Sequence, residues 1–466
     1  MGAKQMKRRK NKHIFLFLVG LLCIGMIITG FSGCRKGPQS SRQLTVFVPQ
    51  HWMQSAIEIP LDRFRSERPE VTVEIYPLPD ESALNGATTL EELLAAQNSY
   101  NAELQQTYQK LQAELLAGKG PDLIIYDDQV FQDPQKVLQS GKFLDLKPLL
   151  EADSGYDPAR YNAVVRSAGE YRDGLYAFPL AYRIGTMIST EEALADCGFD
   201  PSKTSDYVGQ LAEGARVAGQ PNAPRIFGAR NLSTDPTMEI TDYLSYSGLH
   251  LFDYNTGTLQ IDTEEFRAVQ EEVKAILQAD RKELEVPADV FTAAHFERDR
   301  ILRRELLWAL PTHEFGTAAG GLAPKETPIV LPIPAVDGGV QANVSYFAAI
   351  SAQSENQENA YSLLKLLIGD IFQSQLIGAD FPILTSVNEV AVNRWKNSAG
   401  EAEAGLPEEI YDEALHWNER ITSVNFYGKT LRDMVNELFQ PYYEGKASYE
   451  ECLGKAKAQL AIYISE

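Results

Sequence analysis

The chain of 466 residues is poor in cysteine and histidine, with four and six respectively, and it has no surplus of positive charge. Each scarcity removes a class of function. Four cysteines cannot staple a chain of this length, so folding must rest on a hydrophobic core. The histidines, at positions 13, 51, 250, 295, 313 and 416, form no H-E-x-x-H pair, and no cysteine lies in a C-x-x-C. Neither a zinc site nor any other cofactor is expected. No G-x-S-x-G elbow occurs, and Gly428-Lys429-Thr430 mimics the end of a phosphate-binding loop only until Ser423, where that loop requires glycine. A formal charge of -21 repels phosphate backbones, which excludes nucleic acid as a partner. The chain also lacks internal repeats.

What is present begins at the N-terminus. Residues 1–33 hold six cations (Lys4, Lys7, Arg8, Arg9, Lys10, Lys12) and no anion, and residues 14–31 form a charge-free, mostly apolar run. This is the layout of a secretion signal. Phe31-Ser32-Gly33-Cys34 resembles the bacterial lipobox, whose first position is usually leucine. The resemblance implies that residues 1–33 are removed and that Cys34 becomes a lipidated N-terminus. Two acyl chains, at about 0.8 kcal/mol per buried methylene, hold a protein on a membrane where one chain anchors only marginally. Residues 35–43 (RKGPQSSRQ) read as a flexible tether after it. The competing reading is an uncleaved signal anchor, because the apolar run is nearly long enough to span a bilayer. After cleavage and lipidation only Cys197 and Cys452 remain, and the sequence leaves open whether they pair.

The mature chain is longer than one core usually serves, which predicts two globular units. A strand is expected at 44–48, then a helix carrying Ile57, Leu61 and Phe64. A second strand at 71–75 alternates Val71, Val73 and Ile75 with polar residues. Residues 90–116 form a long helix with Leu90, Leu94, Leu104, Tyr108, Leu111 and Leu115 near one stripe, ended by Gly118-Lys119-Gly120-Pro121. Gln97 and Asn101 interrupt that stripe as a coiled-coil seam, so it is read as packing on its own domain. A third strand at 123–126 and a helix ending at Gly141 complete the grammar of an α/β domain with a largely parallel sheet. Ligands of such sheets sit beyond the carboxyl ends of strands. The loops Gln50-His51-Trp52 and Asp127-Asp128-Gln129 are therefore candidates on topology alone.

Three further segments, with their order and spacing, resemble the family 1 extracellular solute-binding proteins. They are residues 115–124 (LLAGKGPDLI), 140–146 (SGKFLDL) and 173–180 (DGLYAFPL), followed by Ile350-Ser351 and residues 359–364 (NAYSLL). The helix before Gly118 is extended relative to the usual family pattern. The resemblance implies a two-lobed periplasmic-binding-protein type II fold, each lobe a sheet flanked by helices, with hinge strands between them. Strand crossings are implied near Ala181-Tyr182-Arg183 and Leu310-Pro311-Thr312, with a return near Ser354. The first lobe would then hold 44–181 and 313–354, and the second 182–312 and 355–466. Function follows the same resemblance: a monomer on the outer face of the bacterial membrane captures a small polar ligand, a carbohydrate above all, and hands it to the permease subunits of an ABC importer. A sensing receptor or a secreted glycosidase is the alternative, since paired carboxylates could assemble in space.

A sugar presents a C–H face and a rim of hydroxyls, so its site needs aromatic platforms and polar side chains that bond in pairs. Trp52 offers a platform after the first strand. By resemblance, Tyr126 matches the aromatic that ends the third strand, and Asp128 and Gln129 lie in the loop where family members place a carboxylate. Tyr182 and Arg183 fall on the first crossing, where by resemblance they reach the ligand; an arginine there can grip hydroxyls or a carboxylate, and its competing role is an interlobe salt bridge. Asp235, His313, Glu314, Phe315, Tyr346, Phe426 and Tyr427 complete the implied ligand set. For each aromatic, core packing is the competing role.

Overall fold

The structure, a computed structural model, describes residues 43–220, 244, 247–279, 303–307, 327–376, 380–390, 392–393, 407–425 and 428–465. Strand β1 (Gln43–Phe47) leads to helices α1 (His51–Ala56) and α2 (Glu58–Glu67). Strand β2 (Thr72–Ile75), helix α3 (Leu90–Leu116), strand β3 (Leu123–Tyr126) and helix α4 (Pro134–Gln139) follow. This is the expected alternation. β1 pairs in parallel on both sides, with Leu44 opposite Val73 and Val46 opposite Leu123. The period of two then sorts side chains between two cores. Leu44, Val46, Leu123 and Ile125 pack with Leu61 and Phe64 of α2, whereas Phe47, Ile124 and Tyr126 pack under α3 with Tyr108, Leu111 and Leu115.

Helix α3 starts on a capping box: the Thr89 hydroxyl accepts from the Glu92 N–H, and the Glu92 carboxylate accepts from the Thr89 N–H. Only part of its predicted stripe is covered. Leu104, Tyr108, Leu111 and Leu115 are buried, but Leu94 is 55% exposed.

The chain continues through β4 (Phe178–Thr190), α5 (Tyr207–Ala218), α6 (Glu264–Ala279), β5 (Arg303–Leu307), β6 (Pro328–Pro332) and β7 (Val340–Ile350). It ends with α7 (Gln357–Leu367), β8 (Phe381–Pro382), α8 (Glu408–Glu419), β9 (Ile421–Val424), α9 (Lys429–Tyr443) and α10 (Tyr449–Ser465). Among the described residues the main sheet runs β6-β4-β7-β3-β1-β2, with β5 and β8 on β4 and β9 on β7. Because β7 is antiparallel to β3 and to β4, the sheet is mixed rather than largely parallel. β4 and β7 are long enough to serve both halves of the molecule. The start of β4 pairs with β7, placing Phe178 opposite Ala348, while its end pairs with β5 and β6, placing Ile184 opposite Leu307 and Thr186 opposite Pro332.

Helices α5, α6, α9 and α10 enclose a separate core that includes Leu211, Phe266, Val269, Leu431, Phe439 and Leu460. The molecule is thus a two-lobed α/β structure with strands passing between the lobes. The sequence reading assigns everything after residue 354 to the second lobe. Helix α7 packs on α2, and its stripe of Ala360, Leu363, Leu364 and Leu367 joins the first core. An amphipathic helix goes where a matching apolar face is free, and α2 supplies it. Cys197 and Cys452 are separate buried thiols. Among the described residues no helix is long and apolar enough to cross a membrane.

Candidate functional site

The carboxyl ends of β1 and β3 lie side by side, so the loops that leave them meet. After β1 the chain turns at Gln50 into α1, and Trp52 stands on that short helix with its indole 42% exposed. Its Nε1 donates to the Gln50 Oε1 at 2.6 Å. Its ring meets the Tyr346 ring edge to face, with centroids 5.5 Å apart. Tyr346 comes from β7 and is nearly buried. The base of this loop is braced from α3, where the Tyr108 hydroxyl donates to the Pro49 carbonyl at 2.9 Å.

After β3, Asp127 turns inward and Asp128 and Gln129 turn outward. The Asp127 carboxylate accepts the N–H groups of Gln129 and Val130, each at 3.1 Å, which fixes the turn. Burial, reinforced by the charge of Asp128, pushes its carboxyl from the ordinary 3.8 up to about 6, against those backbone donors. Arg183 reaches the same region from β4 and donates from Nε to the Asp380 carboxylate at 2.6 Å, with Asp380 almost fully buried. Burial raises the Tyr346 hydroxyl above the ordinary phenol range, and Asp127, Asp380 and Asp128 act in the same direction while Arg183 opposes them. One exposed indole, one phenol, one paired guanidinium and three carboxylates therefore share a small region at the strand ends.

Two expected ligand residues are buried. Tyr126 is fully enclosed, its ring stacked between Phe143 at 5.6 Å and Phe347 at 5.3 Å. Tyr182 is also fully buried; its hydroxyl donates to the Asn418 Oδ1 at 2.7 Å, and its ring stacks on Phe381. The reason is the pleat: Tyr182 and Arg183 are consecutive in β4, so one side chain must face away from the other. Asp235, His313, Glu314, Phe315, Phe426, Tyr427 and Cys34 lie outside the described residues.

Sequence reasoning passed over Asp380 and one face of α9. Asp380 precedes β8 and carries no motif; only the fold brings it to Arg183. On α9, Arg432, Asn436 and Gln440 follow at intervals of one turn, and each has a buried polar side-chain atom without a partner. A polar stripe at helical spacing in an amphipathic helix was the available signal. Among the described residues no group of three or more His, Cys, Asp or Glu could hold a metal ion. The arrangement is suited to holding a polar ligand by stacking and hydrogen bonds.

Known proteins share the fold. No curated protein sequence matches the chain. Solved structures with the same fold include a cyclic α-maltosyl-1,6-maltose binding protein from Arthrobacter globiformis. It has a TM-score of 0.61 and 13% identity, and the match covers 91% of this chain and 98% of that one. The sugar-binding protein MalE of Xanthomonas citri gives a TM-score of 0.62 at 14% identity, over 91% of this chain and 97% of its own. An ABC substrate-binding protein from Listeria monocytogenes, solved in complex with cycloalternan, gives 0.54 at 13% identity, over 91% and 98% respectively. The model of one protein family matches residues 53–374, most of the folded chain. The chain belongs to the bacterial extracellular solute-binding proteins.

Proposed function

We propose that this protein is a lipid-anchored, extracytoplasmic receptor for an oligosaccharide, which it captures between two lobes without altering it and delivers to an ABC importer. The observation that carries this reading is the exposed Trp52 indole set against Tyr346, beside the Arg183–Asp380 pair. An aromatic this exposed at strand ends offers a stacking surface for a sugar ring, and the neighbouring polar groups suit its hydroxyls. Structures of like fold that are described as binding cyclic maltosyl-maltose or cycloalternan support the ligand class. Closure pivots on β4 and β7, whose two ends serve different lobes. On this reading Asp235, His313, Glu314, Phe315, Phe426 and Tyr427 also contact the ligand. The first lobe retains α7 and returns to the second only after β9. Cys34 carries the acyl chains, and residues 35–42 give the protein reach from the membrane, Gln43 being already the first residue of β1.

Thermal unfolding across mono-, di- and oligosaccharides, sugar acids and polyols tests the ligand class. A ligand at a hundredfold its dissociation constant adds about 2.7 kcal/mol of apparent stability. A panel without any stabiliser removes carbohydrate as the ligand, and turnover of a stabilising sugar removes the purely binding role. Cys34→Ser is expected to move the protein from the membrane fraction to the medium; retention would point to an uncleaved anchor.

A further inference from the structure

A concavity of about 520 Å³ lies between α3 and the chain that follows β3. This is within the range of about 300–1,000 Å³ typical of small-molecule sites. Thr430, in the first turn of α9, and Tyr463, in the last turn of α10, close one end, so both lobes line it. Gln112 ties its two walls together by donating to the Val130 carbonyl.

The charged groups of this groove are already engaged. Lys142 donates to the Leu116 carbonyl at 3.2 Å. Lys136 donates to the Tyr463 carbonyl at 2.7 Å and lies 4.0 Å from the centre of the Tyr463 ring. Asp133 accepts from the hydroxyls of Tyr463, at 2.9 Å, and Tyr254, at 3.2 Å. What remains is uncharged. Gln105 and Gln109, one turn apart on α3, and Gln129 on the facing loop line the groove with amides. Each amide sets a donor next to an acceptor, the pattern that two adjacent sugar hydroxyls complement, and none rewards a negative charge on the ligand. Gln129 shares one turn with Asp128, and Tyr108, which lines the groove, donates to the Pro49 carbonyl at the base of the Trp52 loop.

We propose that this groove is an extension subsite that takes the outer residues of a neutral oligosaccharide whose inner residue lies against Trp52. The inference rests on the carbohydrate reading and deepens it: the ligand is a chain longer than a disaccharide, and the long helix α3 is the wall that selects for length. Because Thr430 and Tyr463 belong to the other lobe, a long ligand also bridges the two lobes here.

Calorimetric titration with di-, tetra- and hexasaccharides of the maltose, cellobiose and xylobiose series tests it, using the wild type and a Gln105→Ala/Gln109→Ala variant. Both substitutions are on an exposed helix face and favour helix, so the variant is expected to fold as the wild type does. In one series, wild-type affinity should rise about tenfold or more from the disaccharide to the hexasaccharide. The variant should lose about tenfold for the hexasaccharide and keep its disaccharide affinity, as expected for two lost hydrogen bonds. Equal affinity at all lengths, or equal behaviour of the variant, overturns the subsite while leaving the carbohydrate reading in place. Binding of no member of any series overturns that reading and the subsite with it.

Discussion

Trp52 and Asp127 show how single side chains are placed for opposite ends. The indole contributes little to the core, being 42% exposed, so Trp52→Ala is expected to change stability by less than about 0.5 kcal/mol. Affinity for the stabilising sugar should nevertheless fall at least tenfold. A matched thermal-unfolding and titration pair checks this, and a large loss of stability would assign the ring to packing. Asp127 is the reverse case, a buried carboxyl whose ionisation opposes folding. With a folded pKa of about 6 against an ordinary 3.8, the native state binds more protons than the unfolded state between those values. Wild-type stability should therefore fall as pH rises from about 4 through 6, by something on the order of 2–3 kcal/mol at most. Asp127→Asn keeps an oxygen for the N–H groups of Gln129 and Val130 and removes the titration. Urea unfolding at pH 5 and pH 7.5 should show a slope for the wild type and a nearly flat response for the variant. Parallel responses would mean that Asp127 stays ionised in the fold.

Among the elements, α3 and α7 illustrate how the same amphipathic pattern has two outcomes. The second half of α3 lies on the sheet, whereas its first half rests on local devices, chiefly the Thr89–Glu92 capping box. Thr89→Ala should cost about 1 kcal/mol of local helix stability. Hydrogen exchange should report faster exchange at residues 93–99 while the global unfolding midpoint stays put. A global shift would show that the first half supports the fold. In α7, by contrast, Leu364 is fully buried against α2, and Leu364→Ala is expected to cost about 2–5 kcal/mol. Its unfolding should be monitored together with the first core, for instance by exchange at β1 and β3. Unchanged protection there, with loss confined to α5 and α6, would return α7 to the second lobe.

At the scale of the whole molecule, the lobes also meet away from the crossing strands. Asp133 caps α4 through the Lys136 N–H and at the same time accepts from Tyr254 and Tyr463 of the other lobe. Gly428 comes so close that a Cβ there would fall 1.7 Å from the Gln132 carbonyl oxygen, which explains why glycine stands in the segment that mimics a phosphate-binding loop. Removing the shared acceptor by Asp133→Ala should favour lobe separation. Small-angle scattering of the ligand-free protein is expected to give a larger radius of gyration than the wild type, with the difference abolished by saturating ligand. Identical radii would mean that these contacts follow closure without influencing it.

Much of the architecture was legible before any coordinates, because periodicity is local. The alternation at 71–75, the apolar run at 123–126 and the breaks at Gly118 and Gly141 specify strands and helices without reference to distant residues. Legibility of the site was partial for the same reason. Topology alone brought the loops of Trp52 and Asp128 to one edge, yet the aromatic residues Tyr126 and Tyr182 looked equally available there. Which of them faces solvent depends on the pleat and on what covers each side of the sheet, and a strand covered on both faces does not announce its orientation in its sequence. Asp380 reaches Arg183 across 197 positions of the chain, a pairing that no local pattern encodes. Sequence by itself determined the kinds of elements and their order. The tertiary structure decided which aromatics are buried and where charges meet, because these depend on surfaces supplied by residues far away in the chain.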